Sequence, residues 1–185
     1  MKAAFYLLTL VGLIGSYDVL YWHWYRLRLF SLPAARWENL THALRALLFA
    51  VMMLVVLHVD ARGWWWPLYP LVLAFEVTNT MADVIIEPRS RRDIGGLPAP
   101  EYIIHIFLSI MTGAALASVI WGTRYLFFEP SWLGLRTIDV PLLPRVGAYV
   151  SVVVAVGMFF FELGGVLRLA PRARAIVPAR AVVQD

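Results

Sequence analysis

The chain has 185 residues, 61% of them hydrophobic, a formal net charge of +4 and no cysteine; its mean hydropathy is +0.72. A soluble domain is nearer half apolar and its helices alternate faces, so this composition excludes an ordinary soluble fold. Without cysteine there are no disulfides, thiolate metal sites, iron–sulfur clusters or cysteine nucleophiles, and any metal must be held by oxygen and imidazole nitrogen.

Five apolar runs follow in chain order, at about 3–25, 40–59, 64–86, 102–128 and 146–169. Each is near the ~20 residues that a helix needs to cross a bilayer core. The first run is long, contains Asp18 and His23 and lacks a small-residue cleavage site, so it reads as a span and not as a cleaved signal. The expected fold is an all-α integral membrane protein of five transmembrane helices. It forms one domain over 1–170, with a flexible cytoplasmic tail over 171–185.

Orientation follows from lysine and arginine placement. Arg26, Arg28, Arg36, Arg45, Arg89, Arg91, Arg92, Arg168, Arg172, Arg174 and Arg180 share one side, while Lys2, Arg62, Arg124, Arg136 and Arg145 lie toward the other. The first side is expected to be cytoplasmic, placing the protein in the plasma (inner) membrane with its N-terminus outside. The positive charge is then mostly topology, and no nucleic-acid motif accompanies it. The tail's arginines suit anionic headgroups.

Two segments align at a constant offset of 65 residues: DVLYWHWYRLRLFSLPA from Asp18 and DVIIEPRSRRDIGGLPA from Asp83. They share six of seventeen positions, and each is followed by E-x-x-x-H, Glu38 to His42 and Glu101 to His105. The expectation is a duplicated helical hairpin, repeat 1 over about 3–60 and repeat 2 over about 64–128, followed by a fifth helix at about 146–169. Copies that cross in the same direction are related by an axis along the membrane normal. Pro33 and Pro98 suit helix starts, Pro88 is expected to end the third helix, and Gly95–Gly96 allow a tight return. The run GWWWP at 63–67 reads as an interfacial aromatic belt, and Gly157, Gly164 and Gly165 as close-packing positions.

Helical spacing sorts the polar residues into stripes. Glu38, His42 and Arg45 form one, Glu76, Asn79, Asp83 and Glu87 a second, and Glu101, His105, Ser109 and Thr112 a third. At a rise of ~1.5 Å per residue, His42, His105, Asp83, Asp18 and Glu162 share one layer near the cytoplasmic ends, with Glu76 deeper. This predicts a polar-centred bundle. On an α-helix His23 faces away from Asp18, so His23 and His58 read as interfacial or packing residues, and Glu162 as a polar contact.

Carboxylates buried in a bilayer need protons, arginine partners or metal ions. Asp18, Glu38, His42, Asp83, Glu101 and His105 supply four carboxylates and two imidazoles, one Asp, Glu and His per repeat. This set resembles the ligand inventory of the di-iron carboxylate bundles, although those use E-x-x-H. The resemblance implies two divalent transition metal ions, with iron favoured and manganese or zinc as alternatives. The function expected is a metal-dependent, oxidative membrane enzyme acting on a lipid or isoprenoid-like substrate near the cytoplasmic leaflet. Glu76 would relay protons, and Asn79 would orient a ligand. Arg45, Arg89, Arg91 and Arg92 would hold an anionic substrate. A redox partner or homo-oligomer is compatible with this reading.

Two other readings stay open. EVTNTMAD (Glu76-x-x-Asn79-Thr80-x-x-Asp83) is similar to the acid–asparagine helix of the small bacterial membrane diacylglycerol kinases. That resemblance implies Mg²⁺–ATP binding, a catalytic base and lipid phosphotransfer; the family has Glu where this chain has Asp83, and three spans. The other reading is a non-catalytic complex subunit or cation carrier.

Overall fold

The computed structural model describes the backbone of residues 1–176 and the side chains of residues 1–169. Within it, Lys2–Arg26, Pro33–His58, Gly63–Ser90, Ala99–Phe128 and Leu142–Leu169 are long and apolar enough to cross a membrane. The first span is α1 (Lys2–Asp18) continued by a π-helical stretch, Val19–Arg26. Arg28, in the left-handed region at φ 53°, breaks the chain, and Pro33 opens the short 3₁₀ turn leading into α2 (Arg36–His58). The remaining helices are α3 (Leu68–Ser90), α4 (Ala99–Thr123) and α5 (Leu142–Ile176). Thus α5 continues to Ile176, and the rest of the expected tail lies outside the described residues.

Pro88 does not end α3, which runs two residues further to Ser90. A proline this close to a C-terminus removes only its own N–H from the ladder. The end is completed by Arg91 N–H donating to the Glu87 carbonyl at 3.1 Å. The return to α4 then uses Gly95 and Gly96 at φ 91° and 85°, conformations that suit glycine.

A two-stranded antiparallel sheet joins the loops at the other end of the bundle, β1 (Val59–Arg62) paired with β2 (Trp132–Leu135) in the register Val59↔Leu135 to Arg62↔Trp132. Strands this short carry too few residues for a period-two pattern, and the partner is distant in sequence. Trp64, at 89% exposure, and Trp65 sit beside it, while Trp66 Nε1 donates to Thr123 Oγ1 at 3.2 Å.

α2 packs against α3 and α5, and α1 against α4 and α5, whereas the consecutive pairs α1–α2 and α3–α4 touch far less. Phe5, Leu8, Met53, Val56, Leu57, Tyr69 and Val119 fill the half of the bundle away from Arg91. Among the helical glycines Gly12 has the tightest surroundings: a Cβ there would lie 2.5 Å from the Phe49 ring and 2.7 Å from Ser151 Cβ. Of the glycines expected to pack closely, Gly157 has nothing within 4 Å and Gly165 meets Phe30 at 3.7 Å. Small residues mark an interface only when they face a neighbouring helix, which spacing along one helix does not reveal.

Candidate functional site

The buried acids and histidines, apart from Asp60 in β1, occupy the half of the bundle that ends at Arg91. Asp18 closes α1, and the π-helical stretch that follows brings His23 beside it, with Nε2 3.7 Å from Asp18 Oδ2. The reason is periodicity. Residues five apart diverge by roughly 140° on an α-helix, but i→i+5 hydrogen bonding stacks them on one face. His23 is therefore a member of the cluster that α-helical spacing misplaces, and the sequence carries no obvious signal for the change of period.

From α4, Glu101 and His105 reach the same point. His23 Nε2 lies 3.0 Å from Glu101 Oε1, and His105 Nε2 lies 3.2 Å from Asp18 Oδ2 and 3.9 Å from Glu101 Oε1. One donor atom from each of Asp18, His23, Glu101 and His105 lies within 4.8 Å of all the others. Donors at the corners of a tetrahedron with metal–ligand bonds of ~2.1 Å are about 3.4 Å apart, close to these separations. Asp18 Oδ1, His23 Nδ1 and Glu101 Oε2 are buried without a hydrogen-bond partner. The donor set, two imidazoles and two carboxylates with spare lone pairs, fits a divalent transition ion.

The other expected ligands are placed differently. Glu38 is taken up by Arg91, whose Nε donates to Glu38 Oε1 at 2.6 Å, and by the hydroxyl of Ser90. Arg91 Nη1 also donates to Glu101 Oε1 at 2.7 Å, and Nη2 lies 3.2 Å from Glu87 Oε1. The guanidinium is fully buried. Burial alone would lower its pKa, but Glu38 and Glu101 outweigh burial and hold it above its ordinary value. His42 stacks on His23 with centroids 4.2 Å apart, and its Nε2 lies 3.4 Å from Asp83 Oδ1. Asp83 further accepts from Thr41 Oγ1 at 2.5 Å and pairs with Arg45 Nη2 at 3.1 Å.

The distances cross between the two motif copies. His42 meets Asp83, His105 meets Asp18, and Arg91 spans Glu38 and Glu101.

Glu76 lies 3.7 Å from Arg45 through Oε1, while its Oε2 is buried without a partner. Asn79 turns to α2, donating to the Thr41 carbonyl at 2.9 Å, and is not in the cavity wall. Arg92 is exposed beside Asp93 at 3.3 Å, and Arg89 is exposed. Glu162 is buried on α5 with Oε2 unpartnered. His58 bonds the Tyr149 hydroxyl at 2.8 Å, toward the other end of the bundle.

A cavity of about 300 Å³ rises from this cluster. Asp18, His23, His42, Arg45, Glu76, Asp83, Glu87 and His105 form its polar end, and Val11, Phe49, Met52, Leu116 and Met158 its apolar end. Three of the four clustered residues, Asp18, His23 and His105, therefore line it. No protein-family model, curated protein or solved structure matches this chain. Its function must therefore be argued from the site.

Proposed function

We propose that this is a membrane-embedded, metal-dependent enzyme acting on a lipid or isoprenoid-like substrate, with its metal held by Asp18, His23, Glu101 and His105. The observation that carries the reading is the set of four donors within 4.8 Å of one another beside a lined cavity. Charge supports it. Seven carboxylates (Asp18, Glu38, Glu76, Asp83, Glu87, Glu101 and Glu162) are buried or half-buried in this half of the bundle, against the guanidinium groups of Arg36, Arg45 and Arg91, the other arginines at this end being exposed. Even with His23, His42 and His105 all protonated the balance stays negative, and uncompensated charge is costly in an apolar layer. A divalent ion supplies the missing positive charge.

We infer further that the first four helices are a duplicated hairpin around a polar centre, a reading supported by the crossed His–Asp distances and by the packing of α1 on α4 and α2 on α3. His23 and Arg91 break that symmetry, so one metal position is better furnished than the other. His42 and Asp83 are the ligands for a second ion if one binds. Oxygen and nitrogen donors without thiolate favour iron or manganese, with zinc as the alternative. With iron, the reaction class is oxygen-dependent oxidation. Placing one atom of dioxygen in a C–H bond and reducing the other to water consumes two electrons and two protons, so an external electron donor such as a quinol belongs to the proposal. The arginine-rich loops support a position of the site near the cytoplasmic leaflet.

The test is the metal content of purified protein by inductively coupled plasma mass spectrometry, after anaerobic preparation and metal supplementation. About one ion per chain is expected, lost in folded His23→Ala/His105→Ala protein and kept in His42→Ala. A content of two that falls to one in His42→Ala adds the second position. Protein that binds no transition metal under these conditions sinks the reading.

A further inference from the structure

The cavity has a mouth in the side of the bundle. Its wall includes Val77, Met81 and Val84 of α3, which are 47%, 64% and 63% exposed, and the exposed Ser109 and Gly113 of α4. α3 and α4 are consecutive yet barely touch, while α1, α2 and α5 close the other sides. Of the α1 and α5 residues of the wall, Gly12, Asp18, Ser151 and Ala155 are buried and Val11, Gly15, Ser16, Val154 and Met158 half-buried, none as exposed as the α3 positions. All these positions lie within helices long enough to span a membrane, so the gap faces the bilayer interior. A molecule that uses this mouth comes from the lipid phase.

The polar end then selects its head. Four carboxylates line it, those of Asp18, Glu76, Asp83 and Glu87, against the single guanidinium of Arg45. Arg45 is already engaged by Asp83 at 3.1 Å and Glu76 at 3.7 Å. With His23, His42 and His105 neutral, the lining stays negative even after a divalent ion is added, so an anionic head meets net repulsion. Among the unpartnered buried acceptors of the wall, which include Asp18 Oδ1 and Glu87 Oε1, Glu76 Oε2 lies outside the four-donor cluster, on a side chain 7% exposed. A buried acceptor left unpaired is costly, so it favours a ligand bearing a donor.

From this geometry we infer that the cavity binds a single-chain lipid drawn sideways from the bilayer between α3 and α4, with a head that donates hydrogen bonds and carries no negative charge. Hydroxyl and ammonium heads share this chemistry. The head sits at Glu76 in the polar end that His105 also lines, and the chain extends along Val11, Phe49, Met52 and Leu116. The volume of about 300 Å³ is at the small end of ligand pockets, which fits one chain and not a two-chain phospholipid. This deepens the metal-centre reading by naming the substrate class. It also replaces the anionic head that the loop arginines suggest, since Arg91 is consumed by carboxylates and Arg89 and Arg92 lie exposed outside the cavity.

The test uses the full-length protein in nanodiscs, with photoreactive diazirine analogues of decanol, decylamine and decanoate, and peptide mass spectrometry to map cross-links. At pH 8 the alcohol or the amine should label α3 around Val77 and Met81 and α4 around Leu108 and Thr112 at least about tenfold more than the carboxylate does, the discrimination expected of a ~1.4 kcal/mol repulsion. Which of the two labels more strongly decides the head. Met81→Trp and Gly113→Trp, which fill the mouth, should abolish the labelling, while Ile85→Trp on the outer face of α3 should leave it intact. Equal or stronger labelling by decanoate overturns the proposal, as does labelling that survives both mouth substitutions. Repeating the experiment on chelator-treated protein separates the two readings: labelling there stands without the metal, and absence of metal in the untreated protein leaves the lipid site standing.

Discussion

Arg91 holds the polar cluster together with one side chain. Its planar fork satisfies Glu38 and Glu101 at once, at 2.5–2.7 Å, and reaches Glu87 and the His23 ring nitrogen. Removing one partner from a buried ionic network typically costs about 3–5 kcal/mol, because the remaining charges are stranded. Arg91→Met is therefore expected to lower stability by roughly that amount, and Arg91→Lys to recover only part of it, since an ammonium cannot span two carboxylates in the same way. Unfolding in mixed micelles by denaturing detergent measures both, and an Arg91→Met midpoint equal to wild type would show that the network is not cohesive. Nothing in the composition of the loop distinguishes Arg91 from Arg89 or Arg92. All three satisfy the same orientation rule, and only the helix end at Ser90 turns Arg91 inward.

At the level of elements, the two features that shape the site are a change of helical period and one close contact. The π-helical stretch Val19–Arg26 moves His23 onto the Asp18 face, converting a residue that α-helical spacing assigns to packing into a candidate ligand. Gly12 lets α1 approach α2 and α5, and so sets the inner wall of the cavity. Adding a methyl there would press on Ser151 Cβ at 2.7 Å, an atom fixed to the α5 backbone that cannot rotate aside. Gly12→Ala is expected to destabilise by about 1–3 kcal/mol, the usual cost of overpacking. Gly157→Ala, with nothing within 4 Å, should be neutral or slightly stabilising. Thermal unfolding of the pair compares them directly, and a Gly12→Ala protein as stable as Gly157→Ala would mean that the helices separate easily at this point.

At the level of the whole molecule, the absence of cysteine makes orientation simple to measure. Asp93, in the loop between α3 and α4, and Asp139, between β2 and α5, are exposed at opposite ends of the bundle. With the arginine-rich side in the cytoplasm, a membrane-impermeant maleimide added to intact cells should label Asp139→Cys and spare Asp93→Cys until the cells are opened. The reverse pattern would invert the topology and put the polar cluster near the outer leaflet. This arrangement of ends follows from the number of spans, which is a property of local hydropathy alone.

The length and continuity of the apolar runs were enough to specify five membrane-competent helices, because hydropathy is additive along a segment and needs no knowledge of neighbours. The stripes carrying Glu38–His42, Glu76–Asp83 and Glu101–His105 were equally legible, since α-helical spacing is local. Which stripe meets which was decided by tertiary structure. The pairing of His42 with Asp83 and His105 with Asp18, the capture of Glu38 by Arg91, the addition of His23 and the gap between α3 and α4 all depend on helix packing and on departures from ideal period. Those are set by contacts between residues far apart in the chain, and a one-dimensional pattern records each partner's chemistry without recording the partner.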